Sequence, residues 1–306
     1  MVITNYNRCD DLREALTSVR RQDYPRLEII VVDNASQDAS RHMLAREFPE
    51  VTIIALEENI GMDGYSFGFR QAKGELVFQM DNDSLLPDEH VVSEVIKRFQ
   101  EGPSDLVGVA TRVEECPSNE NAVDDIRRQD SRHGPIDTGG FHAGGVGFKK
   151  SLLDQVGYYS RDIFLYGSEI YLAMKCLAKG YKVFYYPEIL VLHRSSVTAR
   201  SPRSIFFEIR NRYWIVRHLF PRVRSMRLIL RMMINDVGYA VYKRAFRFLL
   251  QAWLEGLGPM PPALRKKLLS DKSQFQLKLD EIYNMFSLSA TFRRGCKVIQ
   301  KRRSYA

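Results

Sequence analysis

Two carboxylates one residue apart, Asp81 and Asp83 in Phe78-Gln79-Met80-Asp81-Asn82-Asp83-Ser84, stand directly after the run Glu75 to Met80. That run reads as a buried strand, and in an open α/β sheet ligands gather at the carboxyl ends of strands. No Lys or Arg adjoins the pair in sequence. Two oxygen donors so placed suit a hard divalent cation, and such a cation suits a diphosphate. An ordinary capped turn is the plainer account of an isolated Asp-x-Asp, so the flanking residues must decide.

Three other places carry reactive or ligand-binding residue types. His193 ends the apolar run Ile189 to Leu192, where an imidazole can reach a metal; a lone histidine is more often structural. Between Gly139 and Phe148 five glycines fall within nine residues. They let a backbone approach a ligand closely, and a buried crossing of chain segments explains them as well. Glu169 opens a helical pattern after Tyr166-Gly167-Ser168; the plain account of it is an acidic residue favoured at a helix N-terminus.

The elements that must position these groups follow a regular order. Val2 to Thr4 is a short strand. Asp10 is a helix N-cap, and Leu12, Ala15, Leu16 and Val19 follow at helical spacing. Strands over Leu27 to Val32, Val51 to Leu56 and Glu75 to Met80 alternate with helices over Ala39 to Phe48 and from Asn59-Ile60-Gly61 to Lys73-Gly74. This β-α-β-α-β-α-β order predicts a parallel, doubly wound sheet. No GxGxxG follows the first strand, which excludes an ordinary dinucleotide site. Further on, the pattern predicts a helix over Pro87 to Gln100 and a strand over Leu106 to Val113. A polar mobile loop follows over 114–138, then a helix from Ser151 to Val156 and one carrying Leu172, Ala173 and Cys176. Two short strands, Tyr181 to Tyr186 and Ile189 to Leu192, complete the order.

Composition sets the class. The 306 residues are 45% hydrophobic and 27% charged, as in an ordinary globular protein. Cys9, Cys116, Cys176 and Cys296 show no CxxC pairing, so neither a zinc knuckle nor a disulfide framework is indicated, and a reducing cytosol fits. No signal peptide is visible before Val2-Ile3-Thr4. The net charge of +8 hides an asymmetry: residues 1–199 hold 22 Lys/Arg against 31 Asp/Glu, and residues 200–306 hold 23 against 6. A tail of net +17 calls for an anionic lipid surface, nucleic acid or an acidic partner.

The order of motifs resembles the family 2 glycosyltransferases of GT-A fold. Thr4-Asn5-Tyr6-Asn7-Arg8 resembles their opening strand and base-holding loop, and Gln22-Asp23-Tyr24-Pro25 the helix end that follows. Val31-Val32-Asp33-Asn34-Ala35-Ser36-Gln37-Asp38 resembles the segment whose first aspartate contacts the base. Glu58-Asn59-Ile60-Gly61, Lys73-Gly74-Glu75, Asp81-Asn82-Asp83, the glycines at 139–147, Gly157-Tyr158, Gly167-Ser168-Glu169, Gly180-Tyr181 and Pro187 to His193 come in the family's order. The likeness covers about residues 1–195. It departs at Ser168-Glu169-Ile170-Tyr171-Leu172, where the family has an acidic pair, and at Met62 to Gly68, where the usual Asn or Arg pair is missing.

The resemblance implies a GT-A type α/β fold: a mostly parallel nucleotide-binding sheet flanked by helices. The catalytic domain is residues 1–199, with a nucleotide-sugar half (1–113) and an acceptor half (139–199), and residues 200–306 form a basic helical extension. It implies an inverting hexosyl- or deoxyhexosyltransferase that moves sugar from a nucleotide diphosphate donor to a glycan or lipid-linked hydroxyl, as in cell-envelope polysaccharide synthesis. Mn²⁺ or Mg²⁺ would be held by Asp83 and Asp81, with His193 as a further ligand. Glu169 would be the general base. Thr4, Tyr6, Asn7, Asp33, Asn59, Asp81 and Asn82 would bind the donor nucleotide, Tyr6 stacking on the base and Asp33 accepting from a pyrimidine N–H. Gly144 and Gly145 would position donor or acceptor.

Residues 204–254 read as amphipathic helix, with Arg227, Arg231 and Asn235 opposite Leu228, Ile229, Met232, Met233 and Val237. Gly238 is the expected break. Arg244, Arg247 and Gln251 continue the polar stripe, opposite Tyr242, Phe246, Leu249 and Trp253. No uncharged run approaches the roughly 18 residues of a spanning helix. The expectation is a cytoplasmic enzyme lying on the inner membrane face through residues 204–254, with Trp214 and Trp253 as anchors; the plain alternative is a packed, solvated extension. A nucleotidyltransferase should carry a basic Gly-rich loop after the first strand, which Asn5 to Cys9 is not. A nucleic-acid-binding tail should interleave aromatics with basic residues, so no nucleic acid is expected. Ser168 raises an inactive sugar-binding relative, against which Asp81, Asp83 and Glu169 are retained.

Overall fold

The structure, a computed structural model, describes residues 1–116, 134–138, 140–194 and 203–265. The chain divides into two compact units, Met1–Ala199 and Arg200–Ala306. In the first, β1 (Val2–Asn5), β2 (Ile30–Asp33), β3 (Thr52–Ala55) and β4 (Leu76–Asp81) run parallel in the order β3-β2-β1-β4. β8 (Val146–Lys149) adds antiparallel to β4 and to β6 (Leu106–Glu115), and β9 (Lys182–His193) lies parallel to β6. β5 (Ser84–Leu85) and β7 (Ile136–Asp137) pair antiparallel with β9. The sheet is therefore mostly parallel but changes direction at β8.

One face of the sheet is covered by α1 (Cys9–Arg20), α2 (Ser40–Glu47) and α4 (Val91–Glu101) around Ile3, Leu16, Leu44, Met80 and Val95. The other carries α3 (Gly64–Gln71), α5 (Lys150–Val156) and α6 (Ser168–Ala178) around Val32, Phe69, Val77, Phe148 and Leu172. Apolar strands buried on both faces are what parallel β-α-β units produce.

Several local expectations change. Asp10 lies in the first turn of α1, not at its cap. The helix is capped from outside: Asp38 accepts from the Cys9 N–H at 2.9 Å and from the Ser40 N–H at 3.0 Å, serving the N-termini of α1 and α2 together. The two strands expected around Pro187 are one, β9. Its register against β6 shifts between Thr111–Tyr186 and Arg112–Leu190, because proline has no N–H for the ladder. β4 lies one residue further on than expected and takes in Asp81 itself, and β6 runs two residues further, to Glu115. The expected loop falls largely on residues 117–133, outside the described residues.

Among its described residues the second unit holds three helices, α7 (Arg203–Leu219), α8 (Arg222–Lys243) and α9 (Phe246–Leu257), with the short turn α10 (Pro262–Arg265). The breaks fall at Pro221 and at Arg244, which takes a left-handed φ of 52°. Gly238 lies inside α8, with nothing within 4 Å of the position its Cβ would occupy, and the helix runs through it. Leu228, Ile229 and Met232 face the unit's interior. Val223, Met226, Leu230, Ile234, Val237 and Val241 are exposed, a second apolar stripe at 3–4 residue spacing. Trp214 is buried and donates its indole N–H to the Glu255 carbonyl at 3.1 Å; Trp253 is half-buried and Phe246 exposed. The tryptophans are packing residues, and a different set of side chains meets solvent.

Candidate active site

Strand register builds the site. Thr4 pairs with Asp81 and Asn5 with Asp33, so the carboxyl ends of β1, β2 and β4 line up. β5 pairs Ser84 with His193, and the Arg194 N–H donates to the Asp83 carbonyl at 2.8 Å. Two backbone contacts thus close the long sequence separation and set His193 beside the acidic pair. Ligand atoms of Asp81, Asp83 and His193 all lie within 4.8 Å of one another. His193 Nε2 stands 3.1 Å from Asp83 Oδ1 and 3.8 Å from Asp81 Oδ2.

Basic groups already face the pair. Arg8, in the loop after β1, places Nη1 2.5 Å from Asp83 Oδ2 and Nε 2.7 Å from Asp11 Oδ2. The pair that lacks a basic neighbour in sequence therefore has one in space. Burial pushes the Asp83 carboxyl up, but the hydrogen bond and charge of His193 and the charge of Arg8 outweigh it and hold it below the usual carboxylate range. Burial likewise works against the His193 imidazolium, and Asp83 and Asp81 overcome it, raising its pKa. Asp81 goes the other way, raised by burial and by the neighbouring Asp83 charge, while Tyr65 donates its hydroxyl to Oδ1 at 2.7 Å. Two carboxylates and an imidazole, held near one another with a guanidinium on one oxygen, are a donor set that fits a divalent cation.

Glu169 sits in the first turn of α6, half-buried. Tyr166 (φ 58°) and Gly167 (φ 83°) precede it in left-handed conformations; for tyrosine that backbone is strained, and such strain gathers at functional sites. Burial, with a smaller contribution from the Asp81 charge, pushes the Glu169 carboxyl up to about 7. Ser168 is buried, its hydroxyl donating to the Ile163 carbonyl at 2.7 Å, so the position that departs from the family pattern anchors the helix start.

The remaining expected residues divide. Tyr6 is 46% exposed, its ring open to solvent. Asn82 donates to Asn5 Oδ1 at 2.7 Å, and Thr4 bonds the Tyr65 side chain. Asn7, at φ 52°, accepts from the Gln37 N–H at 2.7 Å. Asn59 accepts from the Gly61 N–H at 2.9 Å, a turn contact away from the acidic pair's bonds. Asp33 is fully buried with both oxygens engaged: Oδ1 accepts from Asn5 at 3.3 Å, and Oδ2 from the Ser36 N–H at 3.1 Å and Arg41 Nε at 2.6 Å. It organises the loops after β1 and β2 through these three bonds. A Cβ on Gly145 would lie 2.4 Å from Thr111 Oγ1 and 2.8 Å from Val191 Cγ2, and one on Gly144 2.9 Å from Ser84 Oγ. Close approach of β6 and β9 requires glycine at 145, and β5 together with the His142 ring, 3.0 Å away, requires it at 144.

Sequence reasoning missed Arg8 as the partner of Asp83, Tyr65 as the partner of Asp81, Arg41 on Asp33, and His142. Arg8 and His142 lie inside quoted motifs, but nothing in spacing shows a pairing across strands. Tyr65 falls on the buried face of a helix and reads as core.

A mostly parallel sheet whose strand ends bring a carboxylate pair and an imidazole together defines an α/β protein of nucleotide-binding type with a candidate metal centre. The chain belongs to glycosyl transferase family 2, which residues 1–157 match. It is 31% identical over 133 residues to an uncharacterized glycosyltransferase of Nostoc sp., covering 42% of this chain and 40% of that one. It is 26% identical over 204 residues to the poly-beta-1,6-N-acetyl-D-glucosamine synthase of Staphylococcus epidermidis, covering 60% and 47%. The chain spans less than half the length of these relatives. The fold is similar to the mannosyltransferase PcManGT from Pyrobaculum calidifontis in complex with GDP-Man and Mn²⁺ (TM-score 0.57, 18% identity, 84% of this chain and 86% of that one). It is also similar to S. aureus TarS 1-349 in complex with UDP-GlcNAc (TM-score 0.54, 16% identity, 84% and 78%).

Proposed function

We propose that the chain is an inverting glycosyltransferase that moves a hexosyl or deoxyhexosyl group from a nucleoside diphosphate sugar to a hydroxyl of a glycan or lipid-linked acceptor. The observation that carries this is the meeting of Asp81, Asp83 and His193 within 4.8 Å at the ends of β4 and β9. Asp83, Asp81 and His193 would hold Mn²⁺ or Mg²⁺, the imidazole favouring Mn²⁺, and the ion would supply Lewis-acid neutralisation of the diphosphate charge. Glu169, poised near neutrality, takes the acceptor proton as that oxygen attacks the anomeric carbon. The bond to the diphosphate breaks on the opposite side, so one displacement inverts the centre. Tyr6 stacks on the base; Thr4, Asn7, Asn59 and Asn82 shape the surrounding loops. Recognition of a pyrimidine N–H by Asp33 requires Arg41, whose side chain is 45% exposed, to turn away.

The second unit seats the enzyme on an anionic membrane face. No described helix is long and apolar enough to cross a membrane. The exposed stripe of α8 is accompanied by exposed Arg222, Arg227 and Arg231, and α9 exposes Leu250 and Leu254 next to Arg247. Apolar side chains among arginines, on a region of net +17, support interfacial binding to anionic lipid at the inner face of the cell membrane.

The test is calorimetric binding of UDP, dTDP, GDP and CDP, with and without Mn²⁺, to the wild type and Asp83→Ala. Metal-dependent binding of one nucleotide, lost in the variant, is expected. Binding indifferent to both Mn²⁺ and Asp83 rules the site out as the donor site.

A further inference from the structure

A second imidazole stands at the acidic pair. His142, in the loop that enters β8, lies edge-on to His193, with ring centroids 5.4 Å apart and planes at 74°. The charges of Asp81, Asp83 and His193 all act on it, and its side chain is exposed.

The two rings are chemically different. His193 turns Nε2 toward both carboxylates. His142 instead receives the backbone N–H of Gly144 at Nδ1, 3.0 Å away. An N–H is donated only to a lone pair, so Nδ1 is unprotonated and the neutral ring carries its proton on Nε2. Nε2 has no partner among the described residues. In that tautomer the ring has no lone pair left for a metal; it is a hydrogen-bond donor.

The backbone that carries the ring is held as well. Gln79 donates to the Ala143 carbonyl at 3.2 Å, Thr111 to the Gly145 carbonyl at 2.8 Å, and the Gly145 N–H to the His142 carbonyl at 3.3 Å. A Cβ on Gly144 would sit 3.0 Å from the ring's own Nδ1, so glycine there lets the amide and the ring meet. A donor fixed before substrate arrives costs no reorganisation when charge develops.

We propose that His142 donates its Nε2–H to a non-bridging oxygen of the donor's terminal phosphate and is not a metal ligand. As the anomeric C–O bond breaks, its electron pair passes to that phosphate, and the hydrogen bond strengthens with the charge. The assignment rests on the glycosyltransferase reading and extends it to a residue outside the expected ligand set.

Two substitutions separate this role from turn stabilisation. In His142→Asn the side-chain oxygen can still accept the Gly144 N–H as an Asx turn, but the far-edge donor is gone. In His142→Gln the side-chain amide reaches where Nε2 was. The full chain is titrated by calorimetry with UDP and UMP, and with GDP and GMP, at saturating Mn²⁺; Mn²⁺ affinity without nucleotide is read by electron paramagnetic resonance. His142→Asn is expected to weaken the diphosphate roughly tenfold, the size of one charge-assisted hydrogen bond. The monophosphate and Mn²⁺ affinities stay as in wild type, and His142→Gln recovers most of the loss. Equal weakening of mono- and diphosphate, or reduced Mn²⁺ affinity, overturns the proposal in favour of a structural or ligand role. No change in any of the three overturns it in favour of a turn alone. A folded wild type that binds neither diphosphate removes the glycosyltransferase reading itself, and this assignment with it.

Discussion

Glu169 and Arg8 show how a residue type acquires its chemistry from its neighbours. A glutamate at a helix start is ordinary, yet burial, helped by the Asp81 charge, lifts this carboxyl from 4.5 to about 7. Tyr159 and Asp81 are the groups whose charge couples to it. A base must be deprotonated, so the rate of sugar transfer should rise with pH through about 7 and level off above. Glu169→Gln should remove that limb and lower kcat by two or more orders of magnitude. The same shift has a stability consequence of definite sign. The folded state binds this proton more tightly than the unfolded state, so its contribution favours folding at low pH and is lost as pH rises from 4.5 through about 7. Urea midpoints of wild type and Glu169→Gln across that window measure it; the wild type should fall more steeply than the variant, which keeps only the slope of the other groups. Arg8 competes for Asp83 Oδ2. Arg8→Gln should tighten Mn²⁺ binding several-fold, seen by calorimetry without nucleotide, and an unchanged affinity would mean that guanidinium and cation share the carboxylate.

Elements, not single residues, bring the site together. The two-residue strand β5 exists to pair with the end of β9, and that pairing carries Asp83 to His193. Gly145, in the loop that enters β8, serves the same purpose by letting β6 and β9 close up, and Gly147 of β8 lets α4 lie close, 2.6 Å from Val95 Cγ1 to its Cβ position. Gly145→Ala should therefore destabilise by about 1–3 kcal/mol through overpacking, since its Cβ meets Thr111 and Val191. Gly238→Ala is the contrast. Its Cβ would meet nothing within 4 Å and it lies inside α8, so the replacement should stabilise by roughly 0.5–1 kcal/mol, the difference in helix propensity. Denaturant midpoints of the two variants should move in opposite directions. If both fell, Gly238 would have a packing role.

Across the molecule, charge separates the work. The acidic body carries the candidate metal site and a carboxyl raised to about 7; the basic region, at net +17, holds exposed apolar stripes beside arginines. In flotation assays the protein should bind vesicles containing phosphatidylglycerol and ignore pure phosphatidylcholine, with binding falling as salt rises. Leu230→Asp with Ile234→Asp should abolish flotation without unfolding the protein, because both side chains are exposed, Ile234 at 70%. Retained flotation, or a dimer that the same changes dissociate, would point to a protein partner on that face.

The sequence alone determined the α/β order, the acidic pair after its strand and the charge asymmetry, because each is a local pattern of apolar period or residue type. Its motif order also pointed to the family that the first 157 residues match. It could not determine which partners those groups meet. Arg8 on Asp83, Tyr65 on Asp81 and Arg41 on Asp33 join residues that only strand register makes adjacent. The tail gives the clearest case. Helical spacing showed Leu228, Ile229 and Met232 as an apolar face, but a helix apolar on two sides has no way of stating which one the protein buries. Packing chose that face for the interior and left Leu230 and Ile234 outside, since burial is decided by the neighbour that covers a surface and not by the surface itself.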